Sequence, residues 1–352
     1  MKKIELLDII GNPVPHGPGE GWGGRVPPGQ PPGRRRSALI QALRFGYRWH
    51  KLTDGLAYVA TPDCQMVTIP AEGRWSIKPI GDDDVLQTLA FLRHDPLINV
   101  YLISRLLEER YAASTQMVEV RYNREIVVVA SLATNIVLAS DPGQPSEVTE
   151  TAIAAIADRI FSRVLPVRAI ISPAALVEML WSRLATRLDP PTVVRLTQPV
   201  YAIRGRLDFP DLTAARYSTA RDLEPLIPAC AAMHKEEVGI DPLERDAAGY
   251  RERIRELIER KRSVLLVDHG RIVAKCEFSA VTSDAVQLMG VWTAPDLRRR
   301  GFSRTLLREV CGHLARKGKT VTLFVNDFNR PAVSLYESLG FQRIGINRAL
   351  IW

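Results

Sequence analysis

Between residues 286 and 314 the chain changes its hydrophobic period once, and that join constrains what can be built around it. Val286-Gln287-Leu288-Met289-Gly290-Val291-Trp292-Thr293 is an apolar run of strand character, whereas Leu306, Leu307, Val310 and Leu314 recur at helical spacing. Arg298-Arg299-Arg300-Gly301-Phe302-Ser303 lies between them. A strand, a glycine-containing loop and a helix in this order leave the first backbone N–H groups of the helix without intrahelical partners, and glycine lets a ligand approach the main chain closely. Such a join suits a pyrophosphate, and the arginines add charge to the cradle.

The rest of the chain is organised in two long stretches behind an unusual start. Residues 11–33 hold 8 glycines and 7 prolines, a composition that cannot supply a packed core, so residues 1–36 read as a disordered, basic, Pro/Gly-rich tail. Residues 37–75 remain unassigned, with short strands expected around 56–59 and 66–69. From Ser76 the periodicity becomes orderly. Asp82-Asp83-Asp84 opens a helix expected to bury Val85, Leu86, Leu89 and Leu92, and a second helix follows Pro96. Strands are expected at 117–122, 126–131 and 136–139, then helix 146–165, strand 168–172, helix 173–188 and strand 193–203. After an opening strand at 214–218 the same order returns. Helices at 222–234 and 245–262 lead to strands at 264–268, 272–281 and 286–293, then helix 299–317, strand 320–325, helix 329–339 and strand 341–351. Two copies of one topology, 76–210 and 211–352, are the expectation.

Charge follows this division. The net charge is +8, with +5 in residues 1–50, −3 in 51–215 and +6 in 216–352, so a polyanionic ligand would be drawn to the last part. Arg34-Arg35-Arg36 reads as a solvated run in the tail, which makes a nucleic-acid partner an unlikely expectation. The four cysteines, Cys64, Cys230, Cys276 and Cys311, are scattered without a C-x-x-C, and the six histidines have no metal-binding spacing; no metal is expected. The longest apolar stretch, from Ile126 to Ala139, is interrupted by Ser131, Thr134 and Asn135. No membrane span is indicated, and a cytoplasmic location fits the cysteine usage. Gly318-Lys319-Thr320 ends a helix instead of opening one, which removes a P-loop reading.

A second group of residues accompanies the first. Asn329, Ala332, Tyr336 and Gly340-Phe341 follow the strand Val321-Thr322-Leu323-Phe324-Val325. Together with Arg298-x-x-Gly301-x-Ser303, they resemble the two linked signatures of the GNAT (GCN5-related N-acetyltransferase) superfamily, with Ser303 standing where that family usually has Gly or Ala. The resemblance covers about residues 213–352. Ala139-Ser140-Asp141-Pro142-Gly143-Gln144, at the matching join of the first copy, lacks the signature. The whole resembles bacterial two-domain GNAT proteins in which an N-terminal domain without the coenzyme signature precedes a complete one. The fold class implied is mixed α/β, tandem GNAT-like domains, each a mixed, mostly antiparallel sheet flanked by helices.

The resemblance implies acetyl-CoA as acyl donor and an amine as acceptor, with direct transfer and no covalent intermediate. It places Val291, Trp292, Thr293, Arg298, Arg299, Arg300, Gly301, Phe302, Ser303 and Asn329 around the coenzyme and makes Tyr336 the general acid for the departing thiolate. Preorganised main-chain donors beside the strand contribute on the order of 3 kcal/mol each to such reactions. For the base, Glu236, Glu237, Glu277 and His234 are all candidates, and Glu237 or Glu277 is preferred. Each residue also has a plainer role open to it: Tyr336 in the core, Asn329 as a helix cap, the carboxylates on a solvated surface. Two other functions share the fold expectation, a non-catalytic acetyl-CoA sensor and a transferase taking its group from aminoacyl-tRNA.

Overall fold

The structure, a computed structural model, describes residues 49–51, 57–59, 74–109, 116–163, 165, 167–239 and 241–352. The expected tail and the strand around 66–69 lie outside the described residues. The chain divides into two compact units, Val14–Trp75 and a main unit that holds everything from Ser76 to Trp352. Within the first, β1 (Trp49–Lys51) and β2 (Ala57–Val59) pair antiparallel, with Trp49 opposite Val59.

The main unit repeats one order of elements twice, as the periodicity implied. Its first half runs β3 (Trp75–Pro79), α1 (Val85–Leu92), α2 (Val100–Glu109), β4 (Met117–Tyr122), β5 (Glu125–Leu132), β6 (Asn135–Ser140), α3 (Ser146–Arg163), β7 (Ala169–Pro173), α4 (Ala174–Leu184) and β8 (Val193–Ile203). The second runs β9 (Ala215–Tyr217), α5 (Leu223–Val238), α6 (Pro242–Glu259), β10 (Ser263–Asp268), β11 (Arg271–Val281), β12 (Ala285–Thr293), α7 (Phe302–Arg316), β13 (Thr320–Phe324), α8 (Arg330–Ser338) and β14 (Gln342–Ile351). Strand β3 had no counterpart in the expected order of the first half.

Helices cover both faces of the sheet. Leu306, Leu307, Val310 and Leu314 form one stripe of α7 and bury against Val273, Cys276, Phe278, Val286 and Leu323. On the opposite face Leu226 and Cys230 of α5 and Ile254 and Ile258 of α6 close over Leu265, Ile272 and Trp292. In the first half, Leu102, Ile103 and Leu106 of α2 share a core with Leu92 of α1, Met117, Ile126 and Val129. One expected core residue is misplaced: Leu86 is 81% exposed. A 3₁₀ turn at Asp82–Asp84 precedes α1, and Thr88 takes the inward position, where its hydroxyl donates to Glu119 Oε2 at 3.2 Å.

All twelve strands from β3 to β14 lie in one sheet, ordered β3-β4-β5-β6-β7-β14-β8-β13-β12-β11-β10-β9. The pairs β6–β7 and β12–β13 are parallel, and β4–β5, β5–β6 and β9 to β12 pair antiparallel. The centre holds an exchange of strands. β8, the last strand of the first half, lies between two strands of the second, with Val200 opposite Phe324 of β13 and Ala202 opposite Gln342 of β14. β14 in turn reaches β7, with Ala349 opposite Ile171. Main-chain hydrogen bonds therefore run through the junction without a break.

Candidate functional site

The second half opens a gap in its sheet at β12. This strand pairs with β13 at Ala285, Val286 and Gln287, opposite Thr320, Val321 and Thr322, and then continues to Thr293 without a further strand partner on that side among the described residues. On its other side the register against β11 slips: Lys275 faces Trp292 whereas Glu277 faces Met289. That slip is a bulge, and Gly290 sits in it at φ 57°. A Cβ at Gly290 would come within 3.2 Å of Met233 Sδ and 3.3 Å of Glu277 Cδ, so space is tight and the positive φ favours glycine. Parallel strands that separate after three residues leave backbone N–H and C=O groups available along β12.

At the mouth of this gap a 3₁₀ turn, Pro295–Leu297, leads into the arginines. Arg299 has φ 62° and Gly301 φ 89°, and Gly301 caps α7 without any side-chain cap bond. The first helix N–H to find an intrahelical partner is that of Thr305, which donates to Gly301 O at 3.0 Å. The amides before it are the orphan donors of a helix start. No atom lies within 4 Å of the Cβ position at Gly301, so the backbone there is openly approachable. Arg299 and Arg300 are exposed beside it.

Arg298 has a different duty. Its Nε donates to Thr293 O at 3.2 Å and its guanidinium to Glu236 Oε2 at 2.5 Å, joining the end of β12 to the end of α5. Ser303 is bonded inward, its hydroxyl 2.5 Å from that of Thr293. Phe302 is partly buried against the core beneath α7. Val291 is half-buried, and Trp292 and Thr293 are buried, so what this strand offers the gap is chiefly its backbone. Asn329 caps α8, its Oδ1 accepting from Ala332 N at 3.3 Å.

Tyr336 of α8 is 6% exposed and packs edge-on to Phe341 at 5.8 Å. Burial pushes its phenol pKa well up, and the Glu237 carboxylate adds to the rise. The two groups are thus within electrostatic reach of one another. Glu237 is exposed near the end of α5, although neighbouring protein partly desolvates its carboxyl. Desolvation is the main cause that lifts its carboxyl above the usual range; Arg195 and Lys275 oppose the rise, and Glu277 and Glu236 reinforce it. A carboxylate with a raised pKa near a buried phenol is a combination suited to proton transfer.

Glu277 lies elsewhere. It is fully buried on β11, accepting from Lys275 Nζ at 2.5 Å and from the Cys230 thiol at 3.2 Å, while its Oε2 has no hydrogen-bond partner. Lys275 is 0% exposed and also donates to Gly290 O at 3.3 Å, inside the bulge. Burial alone would lower the Lys275 pKa, but Cys230 and Glu277 outweigh it and hold the ammonium charged. His234 is buried as well. The Glu237 carboxylate acts on Tyr336 electrostatically, whereas Glu277 is a partner of Lys275 beneath the bulge. The reading of the sequence passed over Lys275, although Lys275 and Glu277, two apart on an apolar strand, necessarily share one face.

The first half shows the same plan, filled in. Strands β6 and β7 pair at Asn135 and Ile136 opposite Ala169 and Ile170, then part. Ser172 Oγ accepts from Leu138 N across the opening at 2.8 Å. Ile98, Tyr101 and Leu102 line what remains, a cavity of about 50 Å³. At the join before α3, Asp141 accepts from the Gly143 amide at 2.8 Å, so a carboxylate stands where the second half has arginines. A wider pocket of about 560 Å³ lies at the far end of β12 and α7, among Tyr217, Phe278, Val286, Leu314 and Lys317, and holds none of the signature residues.

Comparisons with known proteins agree with this geometry. Residues 266–351 match the family described as FR47-like protein, and residues 132–226 match a domain of unknown function, DUF4081. A [Ribosomal protein bS18]-alanine N-acetyltransferase of Escherichia coli (strain K12) is 34% identical over 91 residues, which are 26% of this chain and 61% of that protein. The chain thus spans about 61% of the length of that curated relative. Among solved structures, a GNAT-family acetyltransferase from Colwellia psychrerythraea has TM-score 0.50 at 16% identity, covering 79% of this chain and 100% of its own. A Drosophila protein has TM-score 0.52 at 14% identity, over 78% of this chain and 98% of its own. The fold is that of GNAT acetyltransferases. No helix of the described residues is long and apolar enough to cross a membrane.

Proposed function

We propose that the chain is an acyl-CoA-dependent N-acyltransferase that moves an acetyl group from acetyl-CoA directly to a primary amine. The observation that carries this reading is the parting of β12 from β13 after Gln287, with the unpaired amides of α7 and Gly301 at its mouth. Open main chain along a strand suits an amide-bearing arm, and free helix-start amides beside Arg299 and Arg300 suit a diphosphate. Acetyl-CoA would supply an acyl group already activated as a thioester.

The chain's own groups then have separate tasks. The main chain at Val291, Trp292 and Thr293 orients the arm and donates to the carbonyl under attack. Glu237 takes a proton from the incoming ammonium or amine, and Tyr336 gives one to the departing sulfur. Glu277, tied to Lys275 and Cys230, supports the bulge. Residues 76–210 and 211–352 act as two GNAT-like domains, the first without a coenzyme cradle and contributing β8 to the wall of the second's cleft.

A thiol-release assay with acetyl-CoA and mixed primary amines tests this function. Release that falls about 10²-fold or more in Tyr336→Phe, with acetyl-CoA binding kept, is the expected result. Binding without release across the whole amine panel would make the protein a sensor instead.

A further inference from the structure

The exchanged strand brings a segment of the first half alongside the gap in the second. Beyond the last pair of β13 with β8, Phe324 opposite Val200, the contact continues as Val325 N donating to Pro199 O at 3.2 Å and Asp327 N to Thr197 O at 3.3 Å. β8 therefore runs on past the end of β13, in the direction in which β12 stands unpaired. Arg195 lies two residues further along, opposite Ala349 of β14.

Arg195 is half-buried, and no hydrogen bond or ion pair joins it to any described residue. Its guanidinium is partly desolvated, and the one charged group that acts on it is the Glu237 carboxylate. The two attract but do not bond. Glu237 likewise makes no hydrogen bond among the described residues. A guanidinium with no protein acceptor keeps its fork of donors available to a ligand, and a planar carboxylate would accept from two of them at once.

We propose that Arg195 binds a carboxylate on the acceptor, so that the substrate is an amine bearing its own carboxylate, with the amine directed to Glu237. This rests on the transferase reading above. It makes an amino acid or similar amino-carboxylic acid the acceptor class, and it gives the first half a part in specificity: the positive end of the substrate is read by α5 of one half and the negative end by β8 of the other. Arg298 is committed to Glu236 and Lys275 to Glu277, and Arg299 and Arg300 stand at the mouth beside the helix start.

The test compares thiol release from acetyl-CoA with an equimolar mixture of L-α- and ω-amino acids against a mixture of their carboxamides, and with an amidated peptide that begins with alanine. Wild type should prefer the carboxylates by about 10- to 100-fold, the range for a hydrogen bond to a charged partner. In Arg195→Gln the ratio of the two rates should fall to about one, and Arg195→Lys, which keeps the charge but not the fork, should retain part of it. Thermal unfolding of each variant checks that the fold persists. Equal wild-type rates with both mixtures, no rate with either, or a faster rate with the peptide overturns the inference. Failure of wild type to bind acetyl-CoA would instead remove the transferase reading.

Discussion

The hydroxyls of Thr293 and Ser303 lie 2.5 Å apart and join the last residue of β12 to the second residue of α7. Ser303 occupies the place where Gly or Ala is usual in the coenzyme signature, and its hydroxyl is turned to the protein. Ser303→Ala removes that bond without adding bulk. The expected result is a loss of about 1 kcal/mol in stability and a change of less than about threefold in acetyl-CoA affinity, read by thermal unfolding and calorimetry. A much larger loss of affinity would mean that the hydroxyl serves the ligand.

As the proposed base, Glu237 should set a pH limb. Its pKa is raised above the ordinary 4.5, so the carboxyl is protonated and unable to act as base below that raised value and competent above it. kcat/KM should therefore climb with pH to a plateau, with its midpoint above 4.5. Glu237→Gln should lower the plateau by about 10²-fold and flatten the limb. An unchanged limb in the variant would assign it to another group.

Lys275 and Glu277 depend on one another. Lys275→Met leaves a buried carboxylate without its counterion and should destabilise by about 3–5 kcal/mol, whereas Lys275→Met with Glu277→Leu should recover most of that. Denaturant unfolding of the single and double variants gives the coupling directly. Independent, additive losses would show that the pair does not act as a unit.

Asp222 is held at about pKa 2, first by its hydrogen bond to Arg216, although its burial works against this and the Thr219 amide and hydroxyl assist. A depressed carboxyl pKa contributes stability that is present above the unfolded value of about 3.9 and lost as pH falls towards 2. Because Arg216 is half exposed, the contribution is discounted to about 1–2 kcal/mol. Asp222→Asn should be less stable than wild type by that amount at neutral pH, with the difference vanishing near pH 2.

Much of the fold was readable because each element carries its own local period. The α7 stripe of Leu306, Leu307, Val310 and Leu314 and the apolar β12 are examples, and the helix-start glycine lay between them. Pairing is not local. Residues 193–203 read as a strand whether they close the first half or enter the second, so the position of β8 between β13 and β14 could not be seen. Arg195 was hidden for the same reason. Leu86 was misplaced because Thr88, a polar residue, takes the inward position to reach Glu119. The bulge at Gly290 depends on the crowding of Met233 and Glu277, which only the packed structure brings together.

The most direct test of the account is a calorimetric titration of acetyl-CoA into wild type and Gly301→Glu. Micromolar-range binding to wild type that the substitution abolishes is predicted, since a carboxylate beside the opening amides of α7 would repel the diphosphate from its place. Equal affinity in the two proteins would contradict it.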